Sequence, residues 1–153
     1  MRFFFFDRLL YLEPGKGARA IKAVSLTEEF LPSHFGKVPV MPATLLFECL
    51  AQVAGWLHVV SRDFSARTLL VLIEGGRVLR QVRPGDVLEL EAWLDFDHAD
   101  GSTMHAEARI DGERVAVLER IVFGSEISRD PTYARSQRDL FAYICGGSEH
   151  LPR

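Results

Sequence analysis

The sequence predicts an α+β fold in which one long helix is wrapped by an antiparallel β-sheet. Apolar residues recur at helical spacing from Pro42 to about Val60, and this stretch is apolar nearly all round. Residues 68–123 then alternate in polarity and are interrupted by turn signals at Pro84–Gly85, Asp100–Gly101 and Asp111–Gly112. One buried helix followed by at least four hairpin-connected strands favours a sheet that closes around the helix.

The remaining segments are assigned in chain order. Residues 18–26 are short, rich in small and β-branched residues and preceded by a turn signal over residues 13–17, which predicts an earlier strand. Pro42 suits the first turn of the helix, where its missing N–H is not needed. Residues 128–153 are more polar and contain a short predicted helix. We therefore expect one domain over residues 1–127 and a C-terminal extension over residues 128–153.

Composition limits the classes of protein to which this chain can belong. Its 153 residues are 48% hydrophobic and 25% charged, which suits a single globular domain with a core of its own. A net charge of −3 and a pI near 5.9 argue against a nucleic-acid-binding protein, so any basic patch is local. Cys49 lies inside the apolar stretch, which predicts a buried thiol, and the two cysteines indicate neither a disulfide framework nor a metal site.

The apolar segments predict neither a leader peptide nor a membrane span. The phenylalanines at positions 3–6 are followed at once by Asp7, so the run is shorter than the roughly 7–15 apolar residues of a signal peptide. These rings are expected to fill a core or an interface. Glu48, Gln52 and His58 interrupt the longest apolar stretch before it reaches the roughly 20 residues of a span. We expect a soluble, cytoplasmic protein.

Glu48 is an unusual residue for a helix of this composition. Thr44, Glu48 and Gln52 follow one another at i, i+4 spacing, so they form one polar stripe on an apolar helix. A carboxylate in apolar surroundings costs several kcal/mol, so Glu48 is expected either to be paired or to have a raised pKa and retain its proton. Spacing alone leaves two roles open: a general acid, or a structural partner of a backbone group or an arginine.

The residues around this stripe resemble a known motif. The resemblance is to the motif region of bacterial 3-hydroxyacyl-acyl carrier protein dehydratases, the FabZ and FabA enzymes. It is carried by His34-Phe35, Pro39-Val40-Met41-Pro42, Leu45, Glu48, Leu50-Ala51-Gln52 and Gly55. Further matches at Phe6-Asp7-Arg8, Ala20 to Val24, Arg77, Arg80 and Val82 to Asp86 extend it over roughly residues 3–124.

This resemblance implies the hotdog fold and a mechanism without a metal or an organic cofactor. His34 would remove the proton beside the thioester carbonyl, and Glu48 would protonate the departing hydroxyl. The backbone N–H groups of Ala43 and Thr44 would stabilise the developing oxyanion at the start of the helix, and Gln52 would lie along the bound substrate. The substrate would arrive on the phosphopantetheine arm of acyl carrier protein.

The sequence also departs from the family pattern. Gly36-Lys37 replaces the usual Pro-Gly after His34-Phe35, and Ala43 replaces a glycine whose N–H contacts the thioester carbonyl. Gly75-Gly76 stand where a longer side chain is more usual. These differences indicate either a dehydratase with an altered acyl preference or a relative that has lost activity. A hotdog thioesterase and a non-catalytic, acyl-carrier-binding subunit are therefore the two alternatives.

The resemblance makes predictions about partners as well. Arg77, Arg80 and Arg83 would form a local basic patch for the acidic carrier protein, although a solvated strand face accounts for the same residues. The family assembles as homodimers whose sites take the histidine from one subunit and the carboxylate from the other. Further assembly of the dimers, the acyl chain length, the pathway and any isomerase activity are left open by the sequence.

Overall fold

A computed structural model describes residues 4–32 and 38–146 of the chain. Its elements, in chain order, are β1 (Arg8–Glu13), β2 (Gly17–Ala23), α1 (Ala43–Ser61), β3 (Ala66–Val78), β4 (Val87–His98), β5 (Gly101–Ile110), β6 (Glu113–Ile127) and α2 (Tyr133–Cys145). The predicted long helix, the later strands and the short C-terminal helix are all present, with their ends shifted by a few residues. Strand β1 was expected only from the family resemblance, because the residue pattern by itself marks no strand there.

The six strands form one antiparallel sheet in the order β1-β2-β4-β5-β6-β3. Strands β4, β5 and β6 are a meander joined by tight turns. In the last of these turns Asp111 and Gly112 both have positive φ, at 51° and 80°, as a two-residue hairpin loop of type I′ requires. Strand β3 lies at one edge of the sheet, so its outer edge carries no described strand.

Helix α1 lies against the concave face of the sheet and supplies most of the core. Eleven of its 19 residues are buried, among them Leu46, Leu50, Val53 and Leu57. These side chains pack against inward-facing residues of the sheet such as Leu90. The helix is not enclosed on all sides, however, because Thr44 is exposed and three residues along the same stripe, Glu48, Gln52 and Gly55, are half-buried.

Helix α1 also meets the length and composition of a membrane span, contrary to the sequence-based expectation. Its 19 residues have a window of mean hydropathy 1.5, and 61% of that window is buried inside the fold. Glu48, Gln52 and His58 lower this hydropathy without bringing it below that of a span. The burial identifies α1 as the core helix of the domain.

Helix α2 packs across the C-terminal half of α1, and its aromatic contacts hold it there. The Phe141 ring lies 5.8 Å from the Trp56 ring and 5.5 Å from the Phe64 ring, measured between centroids. Arg138 donates to Asp63 at 2.9 Å and lies over the Phe64 ring. The described part of the C-terminal extension, residues 128–146, is therefore packed on the domain. The proposed domain boundary after residue 127 stays a prediction.

A buried histidine joins α1 to the far end of the meander. His58 is fully buried, and its two ring nitrogens lie 2.6 Å from the Ser102 hydroxyl and 2.9 Å from the Ser125 hydroxyl. Arg62, one turn later, pairs with Asp97 at 2.6 Å. Burial, reinforced by the positive charge of Arg62 and opposed by Asp97, lowers the pKa of His58 from 6.5 to about 4. His58 is therefore neutral in the folded protein at pH 7.

The His58 pKa predicts how stability depends on pH. Below pH 6.5 the unfolded chain binds a proton at His58 while the folded chain does not. The contribution of neutral His58 to the free energy of unfolding is therefore complete above pH 6.5 and is lost as the pH falls towards 4. The loss should approach about 3 kcal/mol. In urea unfolding at several pH values, His58→Gln should make the free energy of unfolding depend less steeply on pH between pH 6.5 and 4. Equal slopes in wild type and His58→Gln would contradict the assignment.

Candidate active site

The carboxylate of Glu48 lies at the middle of the open side of α1. It is half-buried, and its Oε1 accepts a hydrogen bond from the Gln52 side-chain amide at 2.8 Å. Gln52 Oε1 in turn accepts the backbone N–H of Phe5 at 3.0 Å. Of the two expected alternatives, the described structure shows a paired Glu48, and its partner is a side-chain amide instead of the backbone group or arginine that the sequence left open. Gln52 therefore fixes the acid to the helix and ties the N-terminal segment to the site.

The N-terminus of α1 presents backbone donors about one turn before Glu48. Ala43 and Thr44 are the first two residues of the helix, where N–H groups have no intrahelical acceptor, and both residues are exposed. The first turn contains no acidic residue, and Pro42 at the N-cap makes no side-chain capping bond. Among the described residues, no side chain caps the positive end of the helix dipole, which lies about one turn from Glu48.

A backbone hydrogen bond holds this end of the helix in place. The Met41 N–H donates to the Val82 carbonyl at 2.8 Å, so the segment before α1 is fixed to the turn between β3 and β4. Both of these side chains are buried. The start of α1 and the arginine-bearing turn consequently lie at the same end of the molecule.

His34, the predicted general base, lies outside the described residues. The described chain ends at Pro32 and resumes at Val38. The predicted roles of His34 and the altered loop after it therefore stay predictions.

Two open cavities flank the polar stripe. One, of about 320 Å³, lies towards the start of α1 and is lined by Phe4, Phe5, Lys22, Glu28, Glu29, Phe30 and Leu45. The other, of about 240 Å³, lies further along the helix and is lined by Phe4, Gln52, Gly55, Trp56, Val59, Thr68, Tyr133 and Gln137. Phe4 lines both. Phe6 is buried in the core, and Phe4 and Phe5 are partly buried against it, which confirms the expected packing for these three rings; Phe3 lies outside the described residues.

The two glycines that depart from the family pattern have a structural cause. A Cβ on Gly76 would lie 3.0 Å from the Phe47 ring, and Gly75 has a φ of +65° with Glu119 directly beside it. Phe47 is half-buried and directly precedes Glu48 on α1. Gly76 therefore makes room for this ring, whereas Gly75 is required by its positive φ and by the close approach of Glu119.

The predicted basic patch is largely neutralised within the described structure. Arg77 pairs with Glu119, and Arg80 pairs with Asp86 at 3.1 Å and with Glu113 at 3.6 Å. Arg83 is exposed; its guanidinium contacts the Gln81 side chain at 3.2 Å and has no carboxylate within 4.0 Å in the described ranges. Of the three predicted cations, Arg83 is the one whose charge is least compensated.

The cysteines are structural. Cys49 and Cys145 are both buried, as predicted for Cys49, and neither forms a disulfide within the described residues. Burial raises the pKa of the Cys49 thiol to about 12 and that of Cys145 to about 11. Within residues 4–32 and 38–146, no group of three or more His, Cys, Asp or Glu side chains is arranged to hold a metal ion.

Sequence reasoning missed several residues that shape this region. It did not predict that Lys22, 7% exposed, would pair with Glu28 beside the first cavity. It also did not place Phe4 or Tyr133 near the polar stripe. An isolated buried lysine and two aromatic rings near the chain ends have no local signal, because their neighbours are distant in sequence.

Solved structures with the same architecture identify the class of fold. The dehydratase heterocomplex ApeI:P from Xenorhabdus doucetiae aligns with a TM-score of 0.64 at 16% identity, over 88% of this chain and 89% of that one. A hypothetical thioesterase with coenzyme A from Streptococcus pneumoniae aligns with the same score at 13% identity, over 80% of this chain and 88% of that one. The predicted hotdog fold is confirmed.

Sequence comparison then identifies the family. A family model described as a FabA-like domain matches residues 1–119. The chain is 46% identical over 116 residues to the 3-hydroxyacyl-[acyl-carrier-protein] dehydratase FabZ of Pediococcus pentosaceus, covering 75% of this chain and 78% of the relative. It is 38% identical over 118 residues to the FabZ of Dechloromonas aromatica, covering 74% of this chain and 82% of the relative. This chain belongs to the FabA-like family.

The hydrogen bonds of Gln52 predict a measurable contribution to stability. Gln52→Leu removes the donor to Glu48 and the acceptor of the Phe5 N–H, so it should lower the free energy of unfolding by about 1–3 kcal/mol. Urea unfolding at pH 7 measures the effect. Gln81→Leu, at an exposed position, should change it by less than about 0.5 kcal/mol. A Gln52→Leu protein as stable as wild type would show that these bonds do not hold the segment.

Proposed function

We propose that this chain dehydrates 3-hydroxyacyl-acyl carrier protein thioesters to trans-2-enoyl thioesters in fatty-acid or related synthesis. The observation that carries the proposal is the position of Glu48. A chain of the FabA-like family holds this carboxylate on the open side of its central helix, one turn from the free N–H groups at the helix start. The FabZ relatives support the same reaction and do not favour a thioesterase or a non-catalytic subunit.

In the proposed mechanism two groups act on neighbouring carbons of the substrate. His34 takes the proton from the carbon beside the thioester carbonyl, and the electron pair forms the new double bond. The bond from the next carbon to the hydroxyl breaks, and Glu48 supplies the proton that lets the hydroxyl leave as water. The N–H groups of Ala43 and Thr44 stabilise the negative charge that develops on the carbonyl oxygen. No cofactor takes part.

The structure supports a specific role for Gln52 in this reaction. Its amide occupies Oε1 of Glu48, which limits the rotation of the carboxyl group. A general acid is effective only when it is held within hydrogen-bond reach of the leaving oxygen. We therefore treat Gln52 as a positioning residue for Glu48.

We further propose that the protein is a homodimer joined at the edge of β3. Leu69, Leu70, Val71 and Leu72 form a continuous apolar segment on this edge strand and are each 39–65% exposed. A long apolar edge strand in a soluble protein pairs with another strand or causes aggregation, and a second copy offers the same edge in a two-fold arrangement. Such a dimer allows the proposed site to combine His34 of one subunit with Glu48 of the other.

The proposed partner is acyl carrier protein. Arg83 lies on the turn that is fixed to the start of α1 by the Met41–Val82 hydrogen bond. A carrier protein docked at this turn would deliver its pantetheine arm towards the helix N-terminus. We also propose a soluble, cytoplasmic location, which the burial of α1 as a core helix supports.

The proposed activity is tested with purified protein and 3-hydroxyacyl carrier protein thioesters of several lengths. Wild type should yield enoyl thioester, whereas His34→Ala and Glu48→Gln should each lose about 100-fold or more in kcat because an acid or base is missing. Release of free thiol instead would indicate a thioesterase. Neither product would indicate a non-catalytic subunit.

The same two variants test whether the site is shared between subunits. When they are mixed under conditions that exchange subunits, each heterodimer contains one site with both lesions and one site with none, so activity should recover. A circular dichroism spectrum like that of wild type is required of each variant beforehand. If subunit exchange is demonstrated and activity stays at the single-variant level, the shared site is refuted.

Carrier docking predicts a selective effect of Arg83→Ala. Loss of the least compensated cation should raise KM for carrier-bound substrate about 3–10-fold and weaken its salt dependence, while KM for the corresponding pantetheine thioester is unchanged. Steady-state kinetics at two ionic strengths measure this. Arg135→Ala, an exposed arginine on α2, is the matched control. Equal losses on both substrates would contradict a docking role.

A further inference from the structure

The cavity beside Gln52 is built from parts of the chain that are distant in sequence. Its floor is the second half of α1, with Gln52, Gly55, Trp56 and Val59. Thr68 of β3 forms one wall, and the N-terminal segment contributes Phe4. The remaining wall is α2, through Tyr133 and Gln137. The lining is mostly apolar and aromatic, with a few polar groups, as in sites that bind acyl or aromatic groups.

This cavity adjoins the proposed reaction site. Gln52 lines the cavity and donates to Glu48, so the carboxylate lies one helical turn from its near end. Val59 marks the far end, about 10 Å further along the helix axis. A substrate whose reacting carbons lie at Glu48 can therefore extend its acyl group along this face of α1.

Two residues of the cavity lining, Gly55 and Thr68, are not accounted for by packing with the described residues. A Cβ on Gly55 would come no closer than 3.7 Å to the Phe123 ring, so packing with described residues does not demand a glycine there. The Thr68 hydroxyl is buried from solvent, and it has no hydrogen-bond partner within the described parts of the chain.

We propose that this cavity receives the distal end of the acyl group and that Tyr133 and Gln137 of α2 determine how long an acyl group is accepted. The inference rests on the proposed dehydratase function. Helix α2 begins at Tyr133, after the residues that match the family model, so this wall is added to the family domain by the C-terminal extension. The contacts of Phe141 with Trp56 and Phe64 fix α2 at this distance from α1.

Narrowing and widening the cavity should shift acyl selectivity in opposite directions. Gln137→Trp places a larger side chain in the cavity and should lower the ratio of kcat/KM for 3-hydroxydodecanoyl to 3-hydroxybutyryl carrier protein by at least about tenfold. Tyr133→Ala removes a ring from the same wall and should raise that ratio. Ala142→Trp is the matched control, since it adds the same ring to an exposed site on α2 outside the cavity lining and should leave the ratio unchanged.

The outcomes separate this inference from the function on which it rests. If wild type forms no enoyl product from any chain length, the dehydratase proposal fails. If wild type is active and folded Gln137→Trp keeps the wild-type ratio, or if Ala142→Trp lowers it equally, α2 does not determine acyl length and the inference is overturned. Should Gln137→Trp not fold, Tyr133→Ala decides: a raised ratio supports the inference, and an unchanged or lowered ratio overturns it.

Discussion

The burial of α1 in the concave face of one curved sheet is the constraint on which the rest of the structure depends. A single six-stranded sheet contacts the helix from one side, so leucines and valines cover that side while the opposite side stays partly open. A charged side chain can be placed on a core helix only along this open side, because burial there is incomplete, whereas the buried His58 is neutral and hydrogen-bonded at both ring nitrogens. The apolar core therefore determines where Glu48 can lie.

The same geometry brings three chemical features together along one helix. Free backbone donors lie at its start, a carboxylate held by an amide lies one turn further on, and an apolar cavity continues beyond that amide. Because a helix advances only about 5.4 Å per turn, the oxyanion donors, the proposed acid and the acyl cavity are spaced on the scale of a small thioester substrate. A rigid helix keeps these groups in register more precisely than separate loops would.

The agreement between prediction and structure differs from residue to residue. Helix α1 and the β4–β6 meander were predictable, because apolar spacing and Asp-Gly turns are local signals. The exposure of Thr44 and the half-burial of Glu48 were not, because they depend on which side of the helix the sheet leaves open. The pairing of Arg77 and Arg80 with Glu119, Asp86 and Glu113 was not predictable either, because it joins residues that lie up to 42 positions apart.

The sequence by itself determined the element types, the family and the candidate acid, since each is encoded in spacing and in a local motif. Only the tertiary structure decided that Gln52 connects Glu48 to the Phe5 backbone, that Gly76 accommodates Phe47, and that α2 closes one side of the cavity. These contacts arise when the sheet curves around α1 and the C-terminal chain returns across it. The side-chain packing that selects them involves residues with no periodic or local relation in the sequence.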